Sequence, residues 1–137
     1  MNLDYLDAHE RHWEDAELLM KTHRFANADH LYGISAECGL KRLMQEFGML
    51  MAGDKPKIKD DNVHADKVLG RFESYRSGHH FGTNYMLAAQ NPFHNWSISD
   101  RYAHRREFNS NIVANHRKGA DEVRNLLKKA KLEGILP

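Results

Sequence analysis

His30, Glu37 and Lys41 follow one another at steps of seven and four residues. On a helix that spacing places an imidazole, a carboxylate and an ammonium along one face. Such a face can line a polar cleft that binds a ligand or relays a proton. It can equally close on itself as a Glu37–Lys41 ion pair, worth about 0.2–0.5 kcal/mol on an exposed helix. A second concentration lies late in the chain. The run Arg101-Tyr102-Ala103-His104-Arg105-Arg106 holds three arginines and a histidine, with Phe93 and Trp96 before it and Phe108 just after. Guanidinium groups mixed with aromatics suit phosphate contact and base stacking on RNA. They suit a protein interface as well, because Trp, Tyr and Arg dominate binding hot spots.

Other reactive side chains carry less. Cys38 as a nucleophile would need exposure and a nearby base. Between Glu37 and Gly39 in a helical pattern it reads instead as a small buried residue. His79-His80, His64 and His94 fall in no metal-binding pattern, and His9 and His12 form an i,i+3 pair with no carboxylate motif. A closed zinc site usually takes four ligands, and a single cysteine removes thiolate-rich sites. No metal and no cofactor is expected.

Composition narrows the partner classes. Twenty basic and 19 acidic residues leave a formal charge of +1. A general nucleic-acid or membrane-surface binder would usually show a basic excess, so any such binding must come from a local patch. The late arginines are one patch, and the stretch from Arg117 to Lys131 is another. One cysteine permits no intrachain disulfide and fits a reducing compartment. The N-terminal stretch is acidic without an apolar run, unlike a signal peptide, and nothing approaches the ~18 apolar residues of a membrane span. A cytoplasmic location is the expectation.

The elements that must position these residues are helical. Leu6, His9, Trp13, Ala16 and Met20 recur at three- and four-residue steps and predict a helix over 2–21, with Asp4 as its cap. A wide apolar stripe over 25–47, from Ala28 through Tyr32, Ala36, Leu40 and Leu43, predicts a central helix packed on several sides. Gly33 and Gly39 in it suggest close approach of neighbouring helices. Residues 51–61 read as a polar linker without a hairpin signal, and a third helix is expected over 62–76. Residues 78–100 are the least regular part, with one or two helical turns expected over 85–90 and Trp96 plugging the end of the core. The last helix is expected over 110–133, with Ser110 as its cap. One 137-residue domain follows: an all-α, antiparallel four-helix bundle with an irregular insertion before its last helix.

The second helix, with His30, Ala36, Glu37 and Lys41 in place, resembles the signature helix of the HEPN superfamily (higher eukaryotes and prokaryotes nucleotide-binding domains). The segment Ala120 to Leu127 is similar to that family's closing helix. The resemblance spans about half the chain and implies a HEPN-like four-helix bundle, often a homodimer. Ribonucleases of the family resemble one another in an Arg, four to six residues, then a His, near the start of a late helix. Here two residues separate Arg101 from His104 and nine separate Arg106 from His116. Only Arg24 and His30, with five between them, have the spacing, and they lie on the second helix. The whole chain also resembles short bacterial proteins labelled S-adenosylmethionine-dependent methyltransferases. A Rossmann-type methyltransferase holds its cofactor with a strand, a glycine-rich turn and a helix N-terminus. Gly33 and Gly39 sit inside a helical pattern instead.

The functional expectation is a non-catalytic protein-binding module, specifically an immunity- or antitoxin-like protein that neutralises a toxin or nuclease. Its partner surface is expected on Phe93, Trp96, Arg101, Tyr102, Arg105 and Arg106, joined by the end of the second helix near His30. Two alternatives stand beside it. One is a HEPN-type ribonuclease acting on RNA through a displaced site of Arg24, His30, Arg101 and His104. The other is a small nucleotide binder using the His30–Glu37–Lys41 face.

Overall fold

The computed structural model describes residues 1–87 and 90–137. Four helices, α1 (Tyr5–Lys21), α2 (Phe25–Glu46), α3 (Ala65–Ser77) and α4 (Ser110–Leu132), make up most of the chain. Asp4 starts α1 by accepting the Asp7 N–H at 3.0 Å, and Asn109, rather than Ser110, caps α4 by accepting from Asn111 and Ile112. The chain turns from α1 into α2 within three residues, with His23 at φ +59°. No helix among the described residues is long and apolar enough to cross a membrane.

The central position expected for the second helix is observed, since α2 touches all three other helices. It buries Ala28, Tyr32, Ala36, Leu40, Leu43 and Met44. Its glycines mark two close approaches. A Cβ on Gly39 would lie 2.6 Å from Val123 Cγ1 and 2.9 Å from His9 Nδ1. A Cβ on Gly33 would lie 2.1 Å from Trp96 Cε2, so the neighbour there is an indole and not a helix. Trp96 is 1% exposed and does plug the core.

The antiparallel arrangement is only partly right. Cross-element contacts fix the directions. Glu17 bonds Tyr32 and Arg117, and His9 bonds Ser35, so α1 runs against α2. Along α2 and α4, Asp29 meets His116 and Gly39 meets Val123, so these two run the same way. Glu37 meets His64 and Phe47 meets Phe72, so α3 also follows α2. Antiparallel neighbours need short loops. Here the long connections over 47–64 and 78–109 carry the chain back, and parallel packing results.

Those connections hold the other departures. Met51–Ala52 (β1) and Lys55–Pro56 (β2) pair antiparallel across Gly53-Asp54, with Gly53 at φ +66°, where a linker without a hairpin was expected. The third helix starts three residues later than expected, because His64, after a 3-10 turn over Lys59–Asp61, is extended at its cap position. Asp61 is fully buried there, accepting from Arg71 Nε at 2.7 Å and from the Tyr75 hydroxyl. In the late connection Gly82–Asn84, Ile98–Tyr102 and Arg105–Glu107 are 3-10 turns. Tyr85, Met86 and Leu87 are irregular, contrary to the helical turns expected over 85–90; Ala88 and Ala89 of that expectation lie outside the described residues.

Candidate functional site: a basic cleft at the start of α2

A buried polar set anchors the late connection. His116 on α4 donates Nδ1–H to Asp29 Oδ1 on α2 at 2.5 Å, and its Nε2 lies 2.8 Å from Asn95 Oδ1. Asp29 and His116 are both 1% exposed. Trp96 Nε1 donates to the Asp29 carbonyl at 3.2 Å, and Phe93 stacks on the His116 ring at 5.5 Å. Losing one partner of such a buried pair strands the other, at about 3–5 kcal/mol. The set therefore pins residues 93–96 to α2 and α4. Sequence reasoning placed His116 on an apolar stripe and missed Asp29. The available signal was a polar residue on the core-facing stripe of each helix.

From that anchor the chain runs past the start of α2. A capping box at Ser97 and Asp100 opens the Ile98–Tyr102 turn, with Asp100 Oδ2 accepting the Ser97 N–H at 3.0 Å. His104 opens the next turn, its Nδ1 accepting the Arg106 N–H at 3.1 Å. Between these turns and the Thr22–Asn27 segment lies an open cleft of about 720 Å³. Arg24, Arg101, His104 and Arg105 line it, with His23, and Asp100 is its one carboxylate. Three members of the displaced set, Arg24, Arg101 and His104, thus meet in one place although 76 residues separate Arg24 from Arg101.

The electrostatics are one-sided. None of the ion pairs among the described residues involves Arg24, Arg101 or Arg105. Asp100 spends an oxygen on its cap. The start of α2 adds to this excess. Arg24 occupies its cap position with no side-chain bond to the helix, and no acidic residue lies in the first turn. A helix N-terminus carries about half a positive charge and favours anions. α1 answers that with Asp4 and Asp7, whereas α2 adds cations.

The other expected residues separate into two groups. His30 lies beside this region but does not line the cleft; its ring stacks on Trp96 at 5.7 Å, and its Nδ1 is buried without a hydrogen bond among the described residues. Burial, and then the nearby Arg101, push its pKa below the ordinary histidine value. Phe93 and Trp96 are 3% and 1% exposed. They serve the core, which corrects their expected place on a partner surface. Tyr102, by contrast, is 78% exposed between the cleft-lining Arg101 and Ala103, and Arg106 is exposed outside the cleft.

Glu37 and Lys41 form a closed cluster further along α2. Glu37 Oε2 accepts from Lys41 Nζ at 3.1 Å, and Oε1 lies 3.0 Å from His64 Nδ1. Both side chains are nearly buried, at 11% and 5% exposure. The expected polar face of His30, Glu37 and Lys41 is therefore divided: His30 belongs with Trp96, and the other two pair with each other and His64. Cys38 is buried, and burial, reinforced by Glu37, pushes its thiol up to about 12, which leaves no thiolate nucleophile at neutral pH. His79 and His80 stack on each other at 4.6 Å. Among the described residues no group of three or more His, Cys, Asp or Glu is arranged to hold a metal ion.

No family model, no curated protein and no solved structure matches the chain.

Proposed function

We propose that the protein is a non-catalytic binding module that seats the phosphates of a nucleic-acid strand in the basic cleft at the start of α2. The observation that carries this is the convergence of Arg24, Arg101 and Arg105, all without an ion-pair partner among the described residues, on one open cavity. Arginine matches phosphate geometry with two parallel donors, and unpaired cations in a cleft focus that attraction. A formal charge of +1 for the whole chain keeps the attraction local. The HEPN-like character of α2 and the bundle belongs to the same reading.

Binding is favoured over ribonuclease chemistry by His104. Its Nδ1 lone pair accepts the Arg106 N–H, which engages the ring's acceptor nitrogen and leaves Nε2 as a donor suited to a phosphate oxygen. His30, the other histidine of the displaced site, is outside the cleft. Neutralisation of a toxin or nuclease is the second reading, supported by the exposed Tyr102, Arg105 and Arg106 edge. It is the weaker of the two because the burial of Phe93 and Trp96 removes the aromatic anchors on which such an interface would centre.

Fluorescence anisotropy with a labelled single-stranded RNA tests the proposal. Saturable binding with a Kd on the order of 10 μM at physiological salt is expected. About three phosphate contacts give a log–log salt slope of roughly −2 for a single strand. Binding that ignores salt, or no binding, contradicts the proposal. Cleavage of the RNA during the titration would restore the ribonuclease reading.

A further inference from the structure

Tyr102 is the more exposed of the two large exposed aromatic rings among the described residues; Phe81 packs against His79 and His80, whereas Tyr102 has a cation on one face. The Arg101 guanidinium lies 4.9 Å from the ring centroid, and Arg101 also lines the basic cleft. The ring is nevertheless 78% exposed. Other cation–aromatic pairs here involve rings that the core holds: Trp13, 8% exposed, under Arg117 and Arg124, and Tyr85, fully buried, under Lys129. In those pairs the cation covers an edge of the core. At Tyr102 no core lies behind the ring.

We infer that Tyr102 is a stacking platform for an unpaired base, so that the cleft takes single-stranded nucleic acid and discriminates against duplex. The inference rests on the proposed phosphate-binding role of the cleft. Its geometry is a continuous one: cleft, Arg101, Tyr102 ring. A phosphate seated by Arg24, Arg101 and Arg105 places the neighbouring base at the rim, where the free face of the Tyr102 ring can receive it. Arg101 serves both contacts, through its N–H groups to phosphate and its planar face to the ring. A base in a duplex is stacked between its neighbours and cannot reach the ring; an unpaired base can, whatever its identity. Neither contact uses the sugar 2′-hydroxyl, so RNA and DNA strands should bind alike.

Anisotropy titrations with one labelled sequence as single-stranded RNA, single-stranded DNA and duplex test this. The single strands should bind within about threefold of each other and about tenfold tighter than the duplex, the factor a single base stack supplies. Tyr102→Leu should remove that advantage, weakening single-strand binding about tenfold while leaving duplex affinity and melting temperature unchanged. Tyr102→Phe, which keeps the ring, should bind like the parent. Equal affinity for single strand and duplex, an RNA strand bound while the DNA strand is not, or a Tyr102→Leu variant that binds single strands like the parent overturns the inference while leaving the phosphate cleft in place. Failure of every probe to bind overturns the cleft reading itself.

Discussion

Two charged regions sit on the same helix and have opposite designs. At Glu37 and Lys41 the charges are drawn into the protein, and both Glu37 carboxylate oxygens have partners, Lys41 and the exposed His64. At Arg24, Arg101 and Arg105 like charges are gathered at an open cleft, and the one carboxylate there is committed to a cap. The first region is satisfied by the fold alone. The second is not, and its helix terminus makes the imbalance larger. The start of α1 has both a capping side chain and an acidic residue, the start of α4 has the cap alone, and the start of α2 has neither. A local conflict that nothing in the fold relieves is the signature of a functional site.

The comparison breaks first at Lys41. Lys41→Met keeps the volume and removes the cation, leaving Glu37 with only His64. A buried charge deprived of its partner costs about 3 kcal/mol. Urea unfolding should show that loss as a lower midpoint with an unchanged slope. A loss under about 0.5 kcal/mol, the worth of an exposed i,i+4 pair, would mean that the cluster is as dispensable as any surface pair. The contrast with the cleft would then disappear.

This pair also shows what the sequence could and could not disclose. The seven- and four-residue steps correctly put Glu37 and Lys41 on one face, and helical periodicity located all four helices to within a few residues. Periodicity says nothing about which element faces which. His64 comes from the start of α3, and its approach to Glu37 depends on α3 running parallel to α2 after the long return through residues 47–64. The cleft was half legible. Arg24, Arg101 and His104 could be named as a displaced set from the resemblance to HEPN ribonucleases, but their meeting is produced by the Asp29–His116–Asn95 anchor. That anchor joins three segments with no shared periodicity. Trp96 shows the converse failure: as a sequence feature it fitted both an interface and a core plug, and only its burial against Gly33 decides.

Acid separates the interior from the surface more gently. His9, His12 and His30 each have a pKa lowered from the ordinary 6.5, with burial as the largest cause. The unfolded chain therefore takes up protons below about pH 6.5 that the folded chain refuses. Stability from these groups is level above that pH and declines as pH falls from 6.5 toward their folded values. Glu17 acts in the same direction lower down. Its pKa is lowered chiefly by Arg117, so its contribution is present above 4.5 and lost as pH falls through the folded value. Denaturant unfolding at pH 7.5 and 5.5 should give the lower stability at pH 5.5. Equal or greater stability there would mean that these histidines are solvated in the folded protein.

The smallest expected effect on stability belongs to the cleft, and there the central claim is most exposed. In the double variant Arg24→Ala/Arg101→Ala, two cations without ion-pair partners among the described residues are removed. The melting temperature should stay within about 2 °C of the parent, as for surface changes that break no buried interaction. Binding of the labelled single strand, followed by anisotropy across a salt series, should weaken at least about tenfold, and the salt slope should become shallower by roughly 1.4, the share of two phosphate contacts. A folded double variant that binds with the parent's affinity and the parent's salt slope would contradict the account.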